Sequence, residues 1–343
     1  MTIELPNFYA SYSLNFLNAI QNRLNNAKSS EEIYFDFSKV TNFEPFSMLI
    51  IGHAIRNCFK HYDCKFSNVD TSVNKPHCYG GAMSFFKYID PSCLYGEEVG
   101  HQGGEAHIPI RLINIENIKN EYQHKTYFQE GIKEKAKELA RILSPNQDEL
   151  RQLLGYCITE IIRNAPEHGK TNNVWICAQK WAGKGPHKFD AQIAILDDGI
   201  GIFNSINKNE AHRNFITDNK ATLKYVLKPG ISEAFDPQGG KMLKDWDNSG
   251  YGLYMISQIC KEIGGEFCIA SLGNYLKIDK QGNETYGETN INGTAIELQL
   301  PTMLDDFNFK SLATKIKEKG EAEACQSFNA FKTASKASSD FLL

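Results

Sequence analysis

The sequence has no run of about 18 apolar residues, the length a membrane-crossing helix needs. Its opening residues, Met1 to Asn7, are polar and contain no signal-peptide core. Cysteine is never paired as Cys-x-x-Cys: Cys58, Cys64, Cys78, Cys93, Cys157, Cys177, Cys260, Cys268 and Cys325 stand singly. An odd, scattered set argues against both a zinc site and a disulfide framework. Positive charge is not in excess either. Lys and Arg number 37 against 41 Asp and Glu, a formal net charge of -4 that leaves no electrostatic footprint for nucleic acid. From these absences we expect a soluble, cytoplasmic protein with reduced thiols that engages neither membrane nor nucleic acid.

What is present is ordinary globular material, 41% hydrophobic and 23% charged, and 343 residues suit two domains. Between Tyr12 and Ala27, Leu14, Leu17, Ile20 and Leu24 recur at helical spacing. Glu32 to Phe37 alternates as a strand, and a second helix is expected from Pro45 to Tyr62, with proline at its start. His101 and His107 lie in a Gly-rich stretch and match no metal-ligand spacing, so a solvated loop is expected there. Ile108 to Ile113 alternates as a strand that closes this first unit, residues 1–115. Residues 116–145 are charged and helix-forming until Ser144-Pro145 stops them, and they read as a helical connector.

The most informative stretch runs from Asp148 to Ile202. Leu150, Leu153, Leu154, Cys157, Ile158, Ile161 and Ile162 form the core face of a helix. Glu160, Asn164 and His168 follow one another at four-residue steps, on one stripe away from the strongest apolar face. A carboxylate and a carboxamide so stacked offer a proton acceptor and an oxygen ligand for a hard cation, although a solvated helix face gives the same pattern. Pro166 removes an amide and pushes Ala165 away from helical angles, so the helix is expected to distort just after Asn164. Ala191 to Leu196 then reads as a buried strand that stops at Asp197-Asp198-Gly199-Ile200-Gly201. Glycines there let the backbone approach a flat ligand, and Asp197 would accept a hydrogen bond from an amino group lying against them.

At these residues the chain resembles the GHKL, or histidine-kinase-like, ATPases with the Bergerat nucleotide fold. Four boxes stand in that family's order: Glu160-x-x-x-Asn164-Ala165-x-x-His168-Gly169, Asp197-x-Gly199-x-Gly201, Asn248-Ser249-Gly250-Tyr251-Gly252-Leu253, and Gly293-Thr294 before an alternating strand. The third box carries Asn248 where a glycine is usual. The resemblance implies an α/β sandwich over residues 146–303, a mixed sheet with helices on one face. It also implies ATP and Mg2+ as cofactors. Asp197 would recognise the adenine amino group, with Thr294 nearby, and Asn164 would bind magnesium. Gly199, Gly201, Asn248, Gly250, Gly252 and Leu253 would shape the pocket, and Glu160 would act on the attacking water. The segment between the second and third boxes is expected to cover the phosphates, where Lys241 and Lys244 either reach them or are solvated. Residues 304–343 read as a helical tail.

The order of strand, Asp36-Phe37-Ser38, turn and helix in the first unit resembles the STAS-like domains of bacterial regulators. Pro45 occupies the place that aligns with the phosphorylatable serine of the anti-sigma-antagonist branch, and Ser47 lies close by. His124 is followed by Lys125 and departs from a kinase phosphoacceptor pattern. Together the resemblances imply an ATP-binding regulator that works through a protein partner or homodimer contacting its N-terminal unit or connector. The alternatives are a serine/threonine kinase resembling anti-sigma factors and a nucleotide-gated binding module without turnover.

Overall fold

The computed structural model describes residues 1–26, 31–104, 106–122, 125–181, 191–233, 250–302, 304 and 306–328. His124, Lys241, Lys244, Asn248 and the end of the tail lie outside them. Strand β1 (Thr2–Glu4) leads into helix α1 (Ala10–Leu24), which buries Leu14, Leu17, Ile20 and Leu24 along one stripe. Strand β2 (Ile33–Asp36) buries alternate residues, Ile33 and Phe35. Helix α2 (Pro45–Phe59) begins on Pro45, where the missing amide would have had no helical partner. Strand β3 (Cys64–Ser67) and short helices α3 (Pro76–Ala82) and α4 (Phe85–Ile89) follow. The three strands pair in parallel in the order β1-β2-β3, with α1 and α2 as the crossovers that parallel pairing requires.

Strand β4 (His107–Asn114), helices α5 (Ile115–Glu121), α6 (Lys125–Leu143) and α7 (Asp148–Asn164) come next. Helix α7 stops where Pro166 was expected to distort it, and the chain continues as one π-helical turn, Ala165–Gly169. Then come β5 (Asn173–Lys180), β6 (Ala191–Asp197), α8 (Ile202–Ile206), a 3-10 turn at Glu210–His212, and α9 (Asn219–Tyr225). Helix α10 (Gly252–Glu262), strands β7 (Glu266–Ser271), β8 (Asn274–Ile278), β9 (Glu284–Glu288) and β10 (Thr294–Leu300), and helix α11 (Phe309–Phe328) complete the described elements.

The second sheet has seven strands in the order β4-β5-β6-β10-β7-β8-β9. All its pairings are antiparallel, which corrects the expected mixed sheet. Strands β5 to β6, β7 to β8 and β8 to β9 follow one another directly, and β10 inserts between β6 and β7. None of these steps calls for a parallel crossover. The fold is thus mixed α/β, with one parallel and one antiparallel sheet.

Helices were expected on one face of this sheet; both of its faces are covered. Side chains alternate across the seven-stranded sheet. Val174, Ile176, Ile193, Ile195, Ile269, Ile296 and Leu298 point to one core, shared with α6, α7, α10 and α11. Trp175, Cys177, Ala194, Leu196, Cys268, Ala270 and Ala295 point to the other and are covered by α2, α4 and the aromatic cluster of residues 1–104. Arg56 of α2 lies over Trp175 of β5, 4.7 Å from the ring centroid, and over Tyr88, 5.0 Å away.

Two further readings move with this packing. Strand β4, expected to close the first unit, pairs with β5 through Ile113 and Val174 and is an edge of the second sheet. The 116–145 stretch is two helices rather than one, and α6 buries Ile132, Ala136, Leu139, Ala140 and Leu143 in the common core instead of standing apart as a connector. Ser47 is fully buried and accepts a hydrogen bond from Ser13 Oγ at 2.6 Å.

Candidate functional site

Helix α7, the π-helical turn and the ends of β5, β6 and β10 surround a cleft containing about 770 Å3 of empty space out to its mouth. Its floor is apolar, made by Ile161, Val174, Ile195 and Ile296, and its polar groups are few. Asn164, His168, Asp197 and Thr294 enter it as side chains, and Gly201, Gly250 and Gly252 as backbone.

The strand register brings two of these together. Asp197, the last residue of β6, faces Thr294, the first of β10, and both the backbone and the hydroxyl of Thr294 hydrogen-bond to it. Gly199 N donates to Asp197 Oδ1 at 2.8 Å. Burial nevertheless dominates and raises the carboxyl to about 7, with Asp198 adding to the rise. A pocket carboxylic acid so poised is a candidate for ligand recognition.

The boxes also touch one another. Ile200 N donates to Gly169 O at 2.8 Å, and a Cβ placed on Gly199 would come within 2.4 Å of that same oxygen, so no larger residue fits there. Ser271 of β7 donates to Gly293 O at 2.7 Å and accepts from Ile202 N at 3.0 Å, tying the fourth box to the second. A Cβ on Gly252 would lie 2.5 Å from Glu160 Oε2, which joins the third box to the first.

Of the residues singled out from the sequence, Asn164, His168, Asp197, Gly201, Gly250, Gly252, Leu253 and Thr294 line the cleft. Gly199 sits behind its wall. Glu160 is 3% exposed and does not line the cleft, so the solvated helix face that its spacing also allowed is not what the fold builds. Arg163, equally buried, lies one turn on and pairs with it at 3.4 Å. Burial works against the charge of Arg163, but the carboxylates of Glu160 and Glu167 more than offset it. Only the Glu160 end of the stripe is buried, where Gly252 at the start of α10 abuts it; Asn164 and His168 are half-buried and line the cleft.

Several contributors escaped the sequence reading. Ser205, Ser232 and Ile231 line the cleft, and Ser271 braces its rim, none of them within a recognisable pattern. Arg163 was detectable, since its i, i+3 position relative to Glu160 is that of an ion pair.

Of the two histidines of the Gly-rich stretch, His101 lies in a loop as expected, whereas His107 is the first residue of β4, and both are engaged locally. His101 Nδ1 lies 3.0 Å from Glu98 O, and His107 Nε2 accepts from Gly104 N at 2.9 Å. Among the described residues no three His, Cys, Asp or Glu side chains cluster as metal ligands. Among the same residues no helix is long and apolar enough to cross a membrane. No protein-family model matches the chain, and no curated protein matches it.

Proposed function

We propose that the cleft binds ATP in the manner of the GHKL ATPases and that the chain is an ATP-dependent regulatory protein. The observation that carries this is convergence. Sequence boxes from Glu160 to Thr294, separated by more than a hundred residues of chain, meet around one cleft with Asp197 and Thr294 side by side. In this reading Asp197 accepts from the adenine amino group, the apolar floor takes the ring, and the N-terminus of α10 faces the phosphates.

Asn164 suits magnesium as one oxygen ligand. The small, hard Mg2+ usually keeps several waters and takes one or two protein ligands besides substrate phosphates, so a single carboxamide in the cleft is a fitting donor. When bound, the ion would neutralise charge on the phosphates. The chain's own contribution to hydrolysis would be Glu160, whose carboxylate lies directly behind Gly252. To orient or deprotonate water it must part from Arg163. That pair favours a second reading, a nucleotide-gated binding module that turns over slowly or not at all. A kinase acting on Ser47 of its own chain gains no support, because that hydroxyl is buried. We assign the output to a protein partner or second copy docking on the N-terminal unit or α6.

Incubating the full chain with magnesium and γ-labelled ATP tests this. We expect free phosphate, lowered about a hundredfold or more by Glu160→Gln with binding retained. Bound ATP without phosphate release would select the binding module, and label on protein would select the kinase. Absence of ATP binding would sink the proposal.

A further inference from the structure

At the mouth of the cleft, one carboxylate is held by two lysines, a histidine and a hydroxyl. Glu233 Oε2 accepts from Ser205 Oγ at 3.1 Å, with His168 Nδ1 at 3.7 Å and Lys170 Nζ at 3.8 Å. Lys208 Nζ lies 4.0 Å from its other oxygen. These groups come from four places: the π-helical turn and the residue after it, α8, the residues just beyond α8, and the segment after α9. His168 and Ser205 themselves line the cleft. The neighbourhood favours negative charge strongly. His168, then Lys170, Ser205 and Lys208, outweigh burial and lower the Glu233 carboxyl to about 2.

The backbone at this point does not depend on that carboxylate. Asn209 Nδ2 donates to Glu233 O at 3.0 Å, and the buried His212 holds Ser232 O at 2.8 Å. Lys170 and Lys208 are about half exposed, so another anion can reach them. Two lysines, a histidine and a hydroxyl, gathered beside a cleft around a carboxylate that the backbone there does not need, have the make-up of an anion site with an internal occupant.

We propose that His168, Lys170, Ser205 and Lys208 form a polyphosphate-binding subsite, and that Glu233 is a built-in competitor which a ligand's phosphates must displace. The ligand class is a polyphosphate anion, with a nucleotide's phosphate chain as the source on the reading above, on which this inference rests. Glu233 then lowers affinity for phosphorylated ligands while leaving affinity for an uncharged nucleoside alone, because only the phosphates meet it.

The test is calorimetric titration of the full chain with inorganic tripolyphosphate, ATP and adenosine, in wild type, Glu233→Gln and Lys208→Ala. Removing the competing charge should tighten tripolyphosphate and ATP by roughly tenfold, the scale of one charge-assisted contact. Adenosine should be unaffected. Lys208→Ala, at a half-exposed position that no core packing requires, should weaken tripolyphosphate severalfold. Unchanged or weaker tripolyphosphate binding in Glu233→Gln would overturn the proposal, as would an unchanged value in Lys208→Ala. Tripolyphosphate responding as stated while adenosine fails to bind any variant would leave the subsite standing and remove the ATP reading instead.

Discussion

A carboxylic acid that keeps its proton up to about pH 7 is a poor acceptor for an amino group below that value, and Asp197 is such an acid. Burial lifts it from 3.8, so across the window between those values the native chain holds a proton that the unfolded chain has released. Its contribution to stability therefore falls as pH rises through that window. Ligand binding has the opposite dependence. An N–H donor needs the carboxylate, so binding expels the proton, and adenosine affinity should rise about tenfold from pH 6 to pH 8. Titrations in two buffers with different heats of ionisation would register the released proton. A flat affinity profile would mean that no donor meets Asp197.

The elements that hold the site were legible where one residue type dictates backbone behaviour. Pro166 ended α7, and the apolar run of β6 stopped at Asp197. Burial of Glu160 was not legible, because four-residue spacing describes a stripe without saying what packs on it; the start of α10 decides that. The C-terminal helix shows the same limit. Its charged sequence suits a docking helix, yet only the fold shows Gly320 against Tyr254, where a Cβ would come within 2.5 Å of the ring. Contact between α10 and α7 yields a prediction at this scale. Gly252→Ala forces its Cβ onto Glu160 Oε2; because that oxygen ends a flexible side chain, it must swing aside and loosen its pair with Arg163, and the cost is expected at the low end of overpacking, about 1 kcal/mol. Denaturant unfolding should show that loss, together with weaker binding in the cleft. Wild-type stability in this variant would mean that Glu160 does not abut the third box.

At the scale of the whole molecule, two sheets share one interior. The small residues Cys177, Ala194, Ala270 and Ala295 let the first unit seat directly on the second sheet. An apolar run such as that of β6 already signalled burial on both faces, although not which segment would cover the second. We therefore expect one cooperative unfolding transition, with calorimetric and van't Hoff enthalpies in agreement, and not the two steps of tethered domains. Two separable transitions would contradict the shared core. Within the seam, Phe46 N of α2 donates to Gln192 Oε1 at 3.2 Å, and Gln192 Nε2 to Glu297 Oε1 at 2.7 Å. Gln299 Nε2 donates to the same Glu297 oxygen at 2.7 Å. Burial raises Glu297 from 4.5 to about 7, so its charge costs stability increasingly as pH climbs above the lower value. Glu297→Gln should accordingly raise the melting temperature relative to wild type at pH 8 and change it little at pH 5. A gain confined to pH 5 would reverse that account.

The account turns on the cleft being an ATP site read by Asp197. Titration of magnesium ATP into the full chain, with Asp197→Asn as the comparison, measures this directly. The substitution keeps the size of the side chain and turns an acceptor oxygen into a donor facing another donor, a loss of roughly 1.5–3 kcal/mol. We predict saturable ATP binding in the wild type, weakened at least about tenfold in a folded Asp197→Asn variant. No binding to the wild type, or equal affinity in the two proteins, would contradict the assignment.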